Sequence, residues 1–278
     1  MAWEMSDPIL SVAHLSVDLG GRSILRDVSF DLYPGQLCAL IGENGAGKTT
    51  LLRGLLGLTP IRAGQALMDG APAGQRRALV GYVPQKIAFD ADTPLRTRDL
   101  VQLGLDGHRL GLPLFSGRKK ALVDQALHAV GAESFADQRA GELSGGQQQR
   151  AVIAHALVRQ PRLLILDEPL ANLDFGSANA LVALLGRLTR TRQIAVLVTA
   201  HDMNPLLPVM DRLVYLVGGQ AATGSVEEVV QPDVLSRLYG YPVTVLRHGR
   251  RILVLPDVAA EDTEAGTAAP VPPLEKAD

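Results

Sequence analysis

Between an apolar run and a leucine-rich one, residues 41–50 read IGENGAGKTT. This places Gly42, Glu43, Asn44, Gly45, Ala46, Gly47, Lys48 and Thr49 in the spacing G-x-x-x-x-G-K-[ST], with Thr50 next. Glycines allow a chain to wrap closely about an anion, so that successive N–H groups converge on it. The helix predicted to follow carries Leu51, Leu52, Leu55 and Leu56 on one face and adds its positive N-terminal end. This is chemistry for a phosphate: the Lys48 ammonium would meet the β and γ phosphates of a nucleotide, and the Thr49 hydroxyl a Mg²⁺ ion. Kinases, GTPases and ATPases all use such a loop, so the reaction has to be read elsewhere in the chain.

The second half supplies acids and a second anion site. LLILDEP ends an aliphatic run with Asp167 and Glu168, and an acid at the C-terminal edge of a parallel sheet can face a phosphate loop. Asp167 would hold the Mg²⁺ shell, and Glu168 could orient and deprotonate an attacking water, because phosphoryl transfer needs chiefly positioning and charge neutralisation. His201, after IAVLVTA, stands at another strand end and can hydrogen-bond a γ-phosphate; the Gln85 amide, after GYVP, can reach the metal or the water. In LSGGQQQR at 143–150, Ser144 can cap a helix with Val152, Ile153, Ala156 and Leu157 on one face. Gly145 and Gly146 then expose N–H groups at a helix start. One chain already has a complete loop for its own nucleotide, so the natural use of this second site is the γ-phosphate bound to another copy.

Positioning these groups requires strands that end together. ILSVAHLSVDL and DVSFDLY alternate apolar and polar residues around GGRS and predict an antiparallel opening. From LCALIG onward, short aliphatic runs (LVGYV, LLILD, IAVLVTA, RLVYLV) alternate with helical patterns, which predicts an α/β fold whose parallel sheet is covered on both faces. Residues 96–140 break the rhythm with stretches such as RKKALVDQALHAVGA and predict an inserted helical subdomain, to which the family resemblance drawn below gives limits of about 86–155. YPVTVLRHGRRILVLP, 241–257, reads as an additional hairpin with no assigned role. The folded domain is expected to span 1–258, and the remaining residues, 259–278, are too poor in large apolar groups to fold and predict a disordered tail.

With 27 Lys and Arg against 29 Asp and Glu, the net charge is −2 and the signs are interspersed, which argues against nucleic acid as a partner. Cys38 is the only cysteine, so no internal disulfide or cysteine-rich metal cage forms, and core filling is its expected role. The six histidines show no metal-ligand spacing. The opening residues lack a basic segment leading an apolar one, and no run approaches the roughly 20 apolar residues that span a bilayer, so a soluble chain is expected.

Taken jointly and in this order, GENGAGKT, Gln85, LSGGQ, LILDE, the NLD ending in Asp174, and His201 resemble the ATP-binding subunit of an ABC transporter over about residues 9–240. The resemblance implies a P-loop NTPase with a RecA-like parallel core, an N-terminal antiparallel β subdomain and the helical insert. It implies ATP and Mg²⁺ as cofactors, with Gly42 to Thr50 and Leu19 contacting nucleotide and Thr49, Gln85 and Asp167 serving Mg²⁺. It implies Glu168 as general base, His201 as a switch histidine and Gln85 as a sensor. The partners it implies are a second copy, whose Leu143, Ser144, Gly145, Gly146, Gln147 and Asp174 reach across a head-to-tail dimer, and a membrane permease on which the helical insert docks. The chain would then sit on the cytoplasmic face of the cell membrane, with a solute-binding protein acting indirectly. GYVPQKIAFDADTPLRTRDLVQLGLDGHR and AHDMNPLLPVMDRLVYLVGGQAATGSVEEVV look most like the ATPases of zinc and manganese uptake systems, and ferric-siderophore importers share much of the pattern. Soluble ABC ATPases normally carry two cassettes or a long coiled coil, which 278 residues with one cassette do not accommodate.

One position departs from that family, which usually places an aromatic residue ahead of the first turn to stack on adenine, where this chain has Leu19. Leucine offers an apolar platform without the stacking contact. The Leu19→Tyr variant is therefore expected to bind ATP more tightly, by up to about 1–3 kcal/mol. Calorimetry on both proteins checks this, and equal or weaker binding by the variant would remove Leu19 from the adenine platform.

Overall fold

Alternation at the N-terminus builds the first layer. In the computed structural model, which describes residues 7–85, 89–90, 93–106 and 117–257, β1 (Leu10–Leu19) pairs antiparallel with β2 (Arg22–Leu32). β1 turns Leu10, Val12, Leu15 and Val17 inward. The chain continues through β3 (Leu37–Ile41), α1 (Lys48–Leu55), β4 (Ala63–Met68) and the short β5 (Ala71–Pro72). β4 and β5 complete a four-stranded sheet of order β2-β1-β4-β5.

The second sheet carries the residues expected to do chemistry. After β6 (Val80–Val83) come α2 (Thr97–Asp106), α3 (Gly117–Val130) and α4 (Gly145–Leu157), with no extended strand among the described residues between β6 and the next strand, β7 (Leu163–Leu166). α5 (Phe175–Arg192), β8 (Ala195–Ala200), β9 (Arg212–Val217) and β10 (Gln220–Gly224) follow, and the sheet order is β10-β9-β3-β8-β7-β6. Every pairing in it is parallel except that of β9 with β10. The chain closes with α6 (Val226–Val229), α7 (Pro232–Tyr239) and a hairpin of β11 (Val243–His248) and β12 (Arg251–Pro256). The expected disordered tail lies outside the described residues.

A central strand with two buried faces must be apolar at every position, and successive side chains must enter different cores. Leu37, Ala39 and Ile41 of β3 join one apolar cluster with α4 and α5, whereas Cys38 and Leu40 join another with α1 and the antiparallel sheet. β7 and β8 divide in the same way: Leu164, Leu166, Val196 and Val198 on one side, Leu163, Ile165 and Leu197 on the other. Cys38 is thus core, and burial pushes its thiol up to about 12.

Because β3, β8, β7 and β6 are parallel neighbours, their C-terminal ends emerge at one edge. Ile41 lies opposite Ala200, Leu166 opposite Val198, and Val83 opposite Leu166. The residues that follow, Gly42, His201, Asp167 with Glu168, and Gln85, are therefore delivered to the same rim.

Candidate nucleotide site

The glycine loop is held from below by the β1–β2 hairpin. Gly47, at φ 109°, is the N-cap of α1, and a Cβ there would stand 2.7 Å from Leu25 Cδ2 of β2, so a side chain is excluded by both backbone and neighbour. Lys48 opens α1 and is only 5% exposed. Its ammonium donates to the loop's own carbonyls, Gly42 O at 2.6 Å and Glu43 O at 3.3 Å. The loop is thereby curled about the cation, and the Ala46 N–H donates to Glu43 O at 3.2 Å across the same curl.

Two side chains meet the amine, and a third joins through one of them. Lys48 Nζ lies 3.5 Å from Glu168 Oε1 and 3.4 Å from His201 Nδ1. His201 Nε2 is 2.8 Å from the same Glu168 oxygen, and Gln85 Nε2 donates to Glu168 Oε2 at 2.6 Å. An ammonium can only donate, so His201 accepts at Nδ1 and carries its proton at Nε2, toward Glu168. Glu168 is nearly buried while His201 remains 44% exposed, so the histidine forms the solvent side of the cluster.

The adjoining acid is fixed by a residue that sequence reasoning passed over. Thr199, fully buried in β8, donates its hydroxyl to Asp167 Oδ1 at 2.8 Å and accepts the Glu168 N–H at 2.7 Å. One hydroxyl thus holds both members of the acid pair. Its signal was present: IAVLVTA is aliphatic apart from one hydroxyl at a fully buried position. Thr49 Oγ1 approaches Asp167 Oδ2 at 3.5 Å. Glu168 itself lies at φ 49°, a left-handed conformation for which a non-glycine residue forgoes about 1–3 kcal/mol and which clusters at functional sites. Thr49, Asp167 and Gln85 offer hard oxygen donors that fit Mg²⁺.

LSGGQ is a separate feature. Ser144 caps α4 in a reciprocal box: Gln147 N–H donates to Ser144 Oγ at 3.4 Å, and Ser144 N–H donates to Gln147 Oε1 at 2.9 Å. Leu143 is buried in the core, so it anchors the motif instead of presenting a side chain. Asp174 caps α5, accepting Ser177 N–H at 2.9 Å and the Ser177 hydroxyl at 2.6 Å, bonds that hold its carboxyl below the usual range. A Cβ on Gly146 would come within 2.9 Å of Ser177 Oγ, whereas one on Gly145 would meet only Leu173 at 3.9 Å. A cavity of about 270 Å³ opens there, lined by Ser144, Gly146, Gln147, Arg150, Leu173 and Ser177. Among the described residues no hydrogen bond or ion pair joins this cavity to the Lys48 cluster. Leu19, 41% exposed, ends β1 on the hairpin whose second strand touches Gly47.

The family described as ABC transporter matches residues 25–171, a span that includes the glycine loop, Gln85, LSGGQ and the acid pair. This chain belongs to the ABC transporter family. Among its ABC relatives, the zinc import ATP-binding protein ZnuC of Halorhodospira halophila is 37% identical over 236 residues, covering 84% of each chain. The manganese transport system ATP-binding protein MntB of Halalkalibacterium halodurans is 34% identical, over 84% of this chain and 92% of that protein. The zinc transport system ATP-binding protein TroB of Treponema pallidum is 37% identical, over 83% and 86%. Of solved ABC structures, cbiO1 of Clostridium perfringens, part of the transporter complex cbiONQ, superposes with a TM-score of 0.71 at 28% identity, covering 84% of this chain and 94% of that one. An ATP-binding cassette in its ADP conformation superposes with a TM-score of 0.72 at 23% identity, over 83% and 98%, a likeness of fold.

Thr199→Val keeps the shape and removes the hydroxyl from two buried partners. It is expected to lower the unfolding free energy by about 1–3 kcal/mol, measured by chemical denaturation, and to lower ATP turnover with it. Unchanged stability would mean that the acid pair is held by something other than Thr199.

Proposed function

We propose that this chain energises the import of zinc or manganese by hydrolysing ATP for a separate membrane permease. The ATPase assignment follows from its family, and the names of its relatives supply the metal. The observation that carries the mechanism is the meeting of Lys48, His201 and Gln85 on the carboxylate of Glu168 at the end of the glycine loop.

A γ-phosphate entering the loop competes with Glu168 for the same cations and donors. The phosphate takes the Lys48 ammonium and the His201 Nε2–H, and the Glu168 carboxylate is released toward a water molecule. Glu168 then accepts a proton from that water as its oxygen attacks the γ-phosphorus. The bond from phosphorus to the β–γ bridging oxygen breaks, leaving ADP and inorganic phosphate. Thr49, Asp167 and Gln85 would hold Mg²⁺, which when bound neutralises charge on the β and γ phosphates. His201, half in solvent, closes the site once its hydrogen bond passes from Glu168 to the phosphate.

The cavity at Ser144 and Gly146 is lined by hydroxyl, amide and guanidinium donors and by no carboxylate, so the reading places there the γ-phosphate of a second copy in a head-to-tail dimer, with Asp174, the N-cap of α5, outside that lining. ATP then stabilises the closed dimer because only that state supplies both halves of each site. No helix among the described residues is long and apolar enough to cross a membrane. The reading assigns the pathway to a permease, docks α2 and α3 against it, and puts this chain on the cytoplasmic face, with a solute-binding protein delivering metal from the other side.

Two variants test the chemistry. Glu168→Gln is expected to bind ATP as the wild type does and to lose hydrolysis by about a hundredfold or more, measured by phosphate release; retained turnover removes Glu168 as base. Gly145→Asp suits the first turn of a helix and meets no backbone, yet it sets a carboxylate against the incoming phosphate. It is expected to bind ATP normally and to turn over at least about tenfold more slowly. Gly145→Asp hydrolysing at the wild-type rate would dismiss the shared site.

A further inference from the structure

The β11–β12 hairpin lies outside the nucleotide site, yet one side chain ties it to the segment that carries His201. Asn204 Oδ1 accepts the N–H of Ile252 in β12 at 2.7 Å, and Asn204 Nδ2 donates to the Ile252 carbonyl at 2.9 Å. Both backbone groups of one residue are thus paired by a side-chain amide acting as a neighbouring strand would. The second amide hydrogen goes to Asp202 Oδ1 at 2.7 Å, which also accepts the Asn204 backbone N–H at 2.9 Å. Every donor and acceptor site that matters on this amide is used, and the result is a tight turn starting one residue after His201.

The hairpin is itself held from elsewhere. Arg247 of β11, directly opposite Ile252, donates to the Val230 carbonyl at 2.9 Å, and the Val243 N–H is taken by Ser236 Oγ of α7 at 2.9 Å. Ile252 and Val243 are buried in the same apolar cluster as Met203 and Leu206, the residues flanking Asn204 and the following turn. A strand end free to fray would let the His201 ring wander, and here the chain beyond β8 is pinned to a separately anchored element.

We infer that Asn204 is a positioning residue for ATP hydrolysis: by clamping the turn after His201 to Ile252, it fixes the histidine between Lys48 and Glu168. This rests on the proposed role of His201. The hairpin becomes the fixed support for that clamp.

The test compares full-length wild type with Asn204→Ala and Asn204→Asp. The aspartate keeps the acceptor for the Ile252 N–H, loses both donors and sets a second carboxylate beside Asp202, so it breaks the turn while retaining part of the hairpin bond. Leu253→Ser, on the exposed outer face of the hairpin, is the control. Both Asn204 variants are expected to lower kcat about tenfold with KM for ATP within about twofold, as misplacement of an already bound group does. They are also expected to shift the His201 imidazole ¹⁵N resonances in histidine-labelled protein at fixed pH, with assignment by His201→Ala; Leu253→Ser should move neither. A lowered melting temperature with unchanged kcat and unchanged His201 resonances would overturn the inference and leave Asn204 as a hairpin staple only. Should the wild type hydrolyse no ATP, the proposed function fails by itself, and the resonances still decide whether Asn204 places His201.

Discussion

An ammonium taken out of water has to be solvated by the protein, and the arrangement of this molecule's rim follows from how that is done for Lys48. Two carbonyls of its own loop, a carboxylate and an imidazole surround it. The carbonyls force the loop to curl; the carboxylate and the imidazole bring the ends of β7 and β8 against it. Without the parallel pairing of β3 with β8 and of β8 with β7, these groups would stand on different edges and the amine would be an uncompensated buried charge, which costs several kcal/mol. The same enclosure sets Glu168 where the proposed function puts an incoming anion, so that on that proposal binding is an exchange of partners at a prearranged cation.

The second half of the proposed chemistry obeys a different constraint. Ser144 and Asp174 each spend acceptor capacity on the first turn of their own helix, α4 and α5. Those starts pack together where Gly146 lies against Ser177, and a Cβ on Gly146 would stand 2.9 Å from Ser177 Oγ, so a larger residue there requires the serine to shift. The two helix starts therefore share one close packing contact.

Much of this was legible in the sequence because the signals are local. Aliphatic runs such as LLIL and IAVLVTA declare strands with two buried faces, and an acid or histidine immediately after such a run has to emerge at a sheet edge. The spacing of glycines and lysine announces a phosphate loop, and LSGGQ a capped helix start. What escaped notice depends on segments far apart in the chain. Thr199 matters because β7 lies beside β8, Ser177 because α5 crosses the start of α4, and Asn204 because a hairpin some fifty residues later returns to it. Composition announces none of these meetings; only the register of strands and the crossing of helices creates them.

The conformation of Glu168 has a consequence for how this chain can vary. At φ 49° the backbone there suits glycine or asparagine better than a longer acid, so a drift toward smaller residues would relax the main chain as it erased the carboxylate. On the proposed role of Glu168 as base, selection for robustness and selection for turnover then pull on this one codon in opposite directions. An inactive descendant that outlasts its parent in heat is the form that such a conflict would take.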